Sequence, residues 1–147
     1  MTSEATRPLT RADADAILPL YADLIQSETP PDRATAMARL DKILSHDGTT
    51  LHGALRDGAV VAMCTLHILP NMTRGGRPYA LIENVVTAAD ARRRGHARRA
   101  MQSAIDAAWA AGCYKVMLLS GSADGHAFYP RLGFDGDAKR GFILRRP

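Results

Sequence analysis

Apolar positions recur along the chain in two periods, and the switches between them lay out the elements. Residues 5–10 predict a short strand that must lie at a sheet edge, because Pro8 lacks the N–H a central strand donates. Ala16, Ile17, Leu20, Tyr21, Leu24 and Ile25 then fall at helical spacing behind Thr10 or Asp13 as cap. Pro19 lies inside that stripe and predicts a kink or an early break. Thr29-Pro30-Pro31-Asp32 ends this helix and opens a second, with the shorter stripe Met37, Leu40, Ile43 and Leu44.

Alternation replaces the helical period after residue 49. Asp57-Gly58 is a two-residue hairpin turn between apolar-rich runs at 50–56 and 59–69. A simple hairpin about that turn sets Leu55 opposite Val60, Gly53 opposite Ala62 and Leu51 opposite Cys64, with Ala54–Val61 and His52–Met63 on the other face. Both faces are apolar, so the hairpin is expected to be covered on each side. Asn71 to Arg77 reads as a loop, and 79–87 as the next strand. After Gly95, Ala97, Met101, Ile105 and Trp109 stand four apart with Ala100, Ala104 and Ala108 beside them, while Arg98, Arg99, Gln102, Ser103 and Asp106 occupy the other side. Gly112 ends that helix, and residues 115–119 form a buried strand, so strand, crossover helix and strand predict a parallel pair. A polar loop at 120–125 leads to a short helix at 126–132, closed by Gly133, and Phe142-Ile143-Leu144 suggests a last strand or hairpin.

Composition narrows the class. The 147 residues suit one domain, 1–147, and 46% hydrophobic with 23% charged residues is ordinary for a globular protein. The net charge of +4 is modest, but five arginines lie between 92 and 99, which points to one local anion site. A nucleic-acid module is disfavoured: only 5% of residues are aromatic, too few to stack bases, and these arginines surround a glycine instead of forming a stripe. No apolar run is long enough for a membrane span and the N-terminus lacks leader character, so a cytoplasmic protein without membrane partner is expected. Cys64 and Cys113 read as reduced core residues, and His46, His52, His67 and His96 show no ligand spacing with cysteines or carboxylates, so no metal is expected.

The densest chemistry lies at 83–101. An apolar strand, Glu83-Asn84-Val85-Val86-Thr87, runs through Arg92-Arg93-Arg94-Gly95 into the helix that starts near His96-Ala97-Arg98. Such a turn aims free N–H groups and the positive end of a helix at one point, with arginine forks beside them, and suits phosphate. Gly95 leaves the backbone open to close approach. The order Arg92-x-x-Gly95-x-Ala97 resembles the acyl-CoA signature of the GNAT superfamily of N-acetyltransferases, and Phe128-Tyr129-Pro130-Arg131-Leu132-Gly133-Phe134 resembles the segment that ends GNAT domains. Ile82-Glu83-Asn84-Val85-Val86 and Cys113-Tyr114-Lys115-Val116 are locally similar to glucosamine-phosphate N-acetyltransferases.

The resemblance implies an α/β (α+β) fold: a mixed, mostly antiparallel sheet with helices on both faces and a parallel central strand pair that splays apart. Acetyl-CoA would lie in that cleft, its pyrophosphate on residues 92–98 and its thioester against backbone N–H groups near Val85, Val86 and Thr87. By the same likeness Tyr129 points at the coenzyme sulfur and can protonate the departing thiolate; the plain alternative is a core aromatic beside Phe128. Glu83, a carboxylate in an apolar strand, is the candidate base, against a structural ion pair with an arginine or deprotonation through ordered water. Asn84 and His126 are candidate substrate contacts, and Asn84 serves equally well as a strand-satisfying side chain. The expected activity is acetyl transfer to a small-molecule amine in a ternary complex, with homodimers frequent in the family. Protein or peptide acetylation and non-catalytic acyl-CoA sensing stand behind it.

Overall fold

Five strands form one sheet in the order β1-β2-β3-β4-β5, and the computed structural model describes every residue from 1 to 147. β1 (Glu4–Pro8) pairs antiparallel with β2 (Thr49–Arg56) and is the exposed edge that Pro8 requires. β2 turns into β3 (Ala59–Leu69) through Asp57 and Gly58, both at positive φ, the conformation that matches strand twist in a tight hairpin. β4 (Tyr79–Thr87) runs antiparallel to β3, and β5 (Val116–Met117) runs parallel to β4.

The hairpin register departs from the simple expectation. Leu55 does face Val60, but Ala54 faces Ala62, Gly53 faces Met63, His52 faces Cys64 and Leu51 faces Thr65. One residue, Val61, is inserted between Ala54 and Leu55 as a bulge, which moves every later pair by one. Alternation could not reveal it because both faces of this hairpin are apolar and buried.

Helices cover both faces, as expected. α1 (Ala14–Leu24) and α2 (Arg33–Ser45) close over one face, packing Ile17, Leu20 and Leu40 on Leu51, Met63 and Val86. The Asp32 carboxylate caps α2 by accepting from the Thr35 N–H at 3.0 Å. α1 continues through Pro19 without the expected break; the carbonyl that loses a partner belongs to Asp15, on the exposed side. The 71–77 segment contains one irregular turn, α3 (Thr73–Gly76), with Arg74 and Gly75 at positive φ.

On the opposite face lies α4 (His96–Ala110), whose Ala100, Ala104 and Ala108 let the helix sit close to Ala62, Cys64 and Ile82. Met101 and Ile105 are buried as expected, but Trp109 is 52% exposed. Residues four apart drift by about 40° per step on a helix, so Trp109 lies about 120° around the axis from Ala97. Two side chains of α4 serve the fold. Arg99 donates to the carbonyls of Ala5 and Leu55 at 3.0 and 3.2 Å and meets buried His96 at 2.7 Å, tying the helix to β1 and β2.

The C-terminal part is less regular than its apolar pattern suggests. β5 is two residues long, with Val116 and Leu118 packed inward while Met117 and Leu119 are exposed, so the 115–119 run is an edge strand with one solvated side. α5 (Ala123–Phe128) runs directly into a 3-10 turn at Tyr129–Leu132. No strand forms at 142–144, where Phe142, Ile143 and Leu144 are exposed, so no strand follows β5 and the parallel pair lies at the edge of the sheet instead of the expected centre.

Gly53 shows how tightly β2 meets the N-terminal segment. A Cβ there would stand 2.3 Å from Leu9 Cδ2 and 2.9 Å from its Cγ, inside a buried contact. Gly53→Ala is expected to lower stability by about 1–3 kcal/mol in urea unfolding, because the buried Leu9 side chain must shift off β2 to admit the methyl group; an unchanged midpoint would contradict that packing.

Candidate active site

β4 leaves its neighbours in two ways, and together these create the site. Towards β3, Met63 pairs with Val86 and Thr65 with Glu83, so Asn84 and Val85 both stand opposite Cys64. This is a bulge, with Asn84 in the left-handed region at φ 54°, a conformation asparagine accepts better than most side chains. Its consequence is visible in the packing. Ile82 and Val86 have the same parity, yet Ile82 joins the core under α4 and Val86 the core under α1. Towards β5, pairing ends at Leu81–Met117, and residues 82–87 have no ladder partner on that edge. The strands part where the bulge turns backbone groups out of the ladder.

Tyr129 stands on the α4 side of this opening. It packs edge-to-face on Phe128 and Phe134, with centroids 5.2 and 6.0 Å away, and sits against the core that contains Cys64 and Val85. Gly125 makes room for it: a Cβ there would lie 3.0 Å from Tyr129 Cε2 and 2.2 Å from Ser120 Oγ. Burial first, then nearby Cys64 and Glu83, pushes the phenol above its ordinary value, so it keeps its proton at neutral pH. Glu83 is half-buried rather than enclosed, pairs across the strands with Thr65, and forms no ion pair with any arginine. Cys64 is fully buried, its Sγ lies 3.6 Å from the Ala100 carbonyl, and burial pushes its thiol up to about 12. Such a thiol is a poor nucleophile.

The turn after β4 presents charge and donors. Arg92, Arg93, Arg94 and Arg98 are exposed and none has a carboxylate partner. Arg92 Nε donates to the Thr87 carbonyl at 3.3 Å, fixing the turn to the strand end. Gly95 adopts φ 80° with no atom within 4 Å of a Cβ built on it, and no side chain caps α4. The first helical bond runs from Arg99 N to the Gly95 carbonyl, which leaves the N–H groups of His96, Ala97 and Arg98 without helical partners. His96 contributes backbone only: its side chain is 2% exposed and turned into the fold. Val85 and Thr87 are half-buried, Val86 is buried, and Asn84 is exposed at the bulge.

His126 lies within α5, and its Nε2–H donates to the Ser120 carbonyl at 3.0 Å, which holds the preceding loop. Arg74 and Arg77 stand where β4 and β5 are joined, not where they part; Arg74 lies 5.7 Å over the Tyr114 ring. Sequence reasoning missed the side chains of α1 and α2 that face Asn84 across a cavity of about 480 Å³, Tyr21 among them. Their apolar spacing reports a core-facing helix and carries no separate mark for the cavity.

Residues 17–134 match the acetyltransferase (GNAT) family. The chain belongs to that family. A protein of Trypanosoma brucei brucei named glucosamine 6-phosphate N-acetyltransferase is 32% identical over 130 residues, covering 87% of this chain and 86% of the relative. A solved structure from Agrobacterium tumefaciens str. C58 is 41% identical, with a TM-score of 0.92 over 97% of this chain and 99% of the other. An aminoglycoside N-acetyltransferase in complex with CoA shares the fold at a TM-score of 0.81 and 17% identity, covering 99% of this chain and 96% of the other. This GNAT protein is therefore an N-acetyltransferase of a family that uses acetyl-CoA. None of its helices is long and apolar enough to cross a membrane.

The uncapped helix start, the open Gly95 and four unpaired arginines suit a diphosphate. Arg93 lies at φ 62°, where glycine is at ease. Arg93→Gly should therefore leave the melting temperature equal or slightly raised while weakening CoA binding by about tenfold in calorimetric titration. Unchanged affinity would take Arg93 out of the phosphate site.

Proposed function

We propose that this GNAT protein transfers the acetyl group of acetyl-CoA to the primary amine of a small molecule by direct attack in a ternary complex. One observation carries the reading: the bulge at Asn84–Val85, the half-buried Glu83 and the proton-bearing Tyr129 meet where β4 and β5 part. When bound, the coenzyme supplies an activated acetyl carbon.

The chain's own residues do the rest. Arg92, Arg93, Arg94, Arg98 and the N–H groups of residues 95–98 hold the diphosphate and set the depth of the thioester in the cleft. Backbone N–H groups around Val85 and Val86, at the bulge and along the edge that β5 leaves unpaired, offer hydrogen bonds to the acetyl oxygen as it gains charge. Glu83, free of any cationic partner, accepts a proton from the acceptor ammonium, directly or through one water. Tyr129 donates its phenolic proton to the sulfur as the C–S bond breaks. Asn84, exposed at the bulge, hydrogen-bonds the acceptor. His126 shapes the same side through its hold on Ser120.

A covalent relay is disfavoured because the thiol nearest the site, Cys64, is buried and held protonated. The name of the Trypanosoma relative supports a small-molecule acceptor over a protein one.

Thiol release from acetyl-CoA over a panel of amines tests the reading. Tyr129→Phe should lower kcat by about 100-fold or more with CoA affinity nearly unchanged; equal loss of both would make Tyr129 a packing residue. Glu83→Gln should abolish the acidic limb of the kcat/KM profile, and an unaltered limb would assign proton removal to solvent.

A further inference from the structure

The cavity between α1 and α2 bears on which amine is accepted, an inference that rests on the acetyltransferase reading. Its volume of about 480 Å³ is in the range of small-molecule sites, and Asn84 is the one sheet residue in its lining, so it opens onto the bulge. Its walls are Leu18, Leu24, Ile25, Leu40 and Ile43 with the ring of Tyr21. The Tyr21 hydroxyl is buried towards Thr65, short of hydrogen-bonding geometry with it, and does not offer its oxygen to the cavity.

Charges occur as Glu28, Arg33 and Arg39. All three are exposed; Arg33 is held by Asp15 at 2.8 Å, while Glu28 and Arg39 form no ion pair. Thr29 and Asn84 are likewise exposed, so the buried and half-buried walls are apolar, without a buried cationic anchor for a dianionic phosphate or polar groups for sugar hydroxyls. Arg74 and Arg77, at the joined end of β4 and β5, do not supply it.

We propose that the acceptor is a primary amine with an apolar body, aryl or branched alkyl, seated between α1 and α2 with its nitrogen at Asn84 and Glu83. Specificity then rests on Leu24, Ile25 and Ile43, in contrast to the amino-sugar phosphate in the name of the Trypanosoma relative.

The test is thiol release from acetyl-CoA by the full chain with 2-phenylethylamine, methylamine and glucosamine 6-phosphate. The expected kcat/KM for 2-phenylethylamine exceeds each of the other two by at least about tenfold. Ile25 is 46% exposed at the cavity edge, so Ile25→Ser tests the wall without disturbing the core. It should reduce the preference for 2-phenylethylamine over methylamine by about threefold or more. Equal or faster turnover of glucosamine 6-phosphate would overturn the apolar acceptor while keeping the acetyltransferase reading. Bound CoA with no thiol release from any amine would overturn both.

Discussion

The account depends on one irregularity of the backbone, the extra residue that sets Asn84 and Val85 together against Cys64. A regular β4 would bury residues 82, 84 and 86 under the same helix and keep an unbroken ladder with β3. The bulge moves Val86 to the α1 side, frees backbone near Val85, and brings Glu83 and Tyr129 to one opening. β4 also outruns its parallel partner after Leu81, and a strand that loses its neighbour halfway leaves a wedge of unpaired edge. In a protein with no use for it, such an edge would be covered.

Energetics explain how the irregularity is tolerated. β3, against which the bulge is formed, is covered on both faces, with Cys64 and Leu66 under α4 and Met63 under α1. Asparagine at 84 and glycine at 95 take positive φ at low cost, whereas Arg93 takes it at a cost the fold must absorb. Three left-handed residues, Asn84, Arg93 and Gly95, thus fall in the segment from 84 to 95. The same segment carries the proposed chemistry.

The sequence disclosed the elements that follow simple periods. α4, the hairpin turn at 57–58, the edge position of Pro8 and the parallel crossover are direct readings of spacing and turn residues. The turn proposed to hold the diphosphate stands out in the sequence because Arg92 to Gly95 is both local and chemically distinctive. What stayed hidden depends on residues far apart in the chain. The Val61 bulge leaves no trace where both strand faces are apolar, and Trp109 looks buried until helical drift is taken over three turns. The apolar triplet 142–144 suggests a strand that finds no partner in this chain. The cavity is hidden because Leu24, Ile25 and Ile43 serve the stripe of a core-facing helix and the wall of a pocket with the same side chains.

Backbone hydrogen exchange with and without CoA bears most directly on the central claim. The account predicts that CoA slows exchange at residues 85–87 and 95–98, the freed strand edge and the helix start, with smaller effects in α1 and α2. Protection confined to other segments, or none at saturating CoA, would contradict the assignment of the parted strands as the coenzyme cleft.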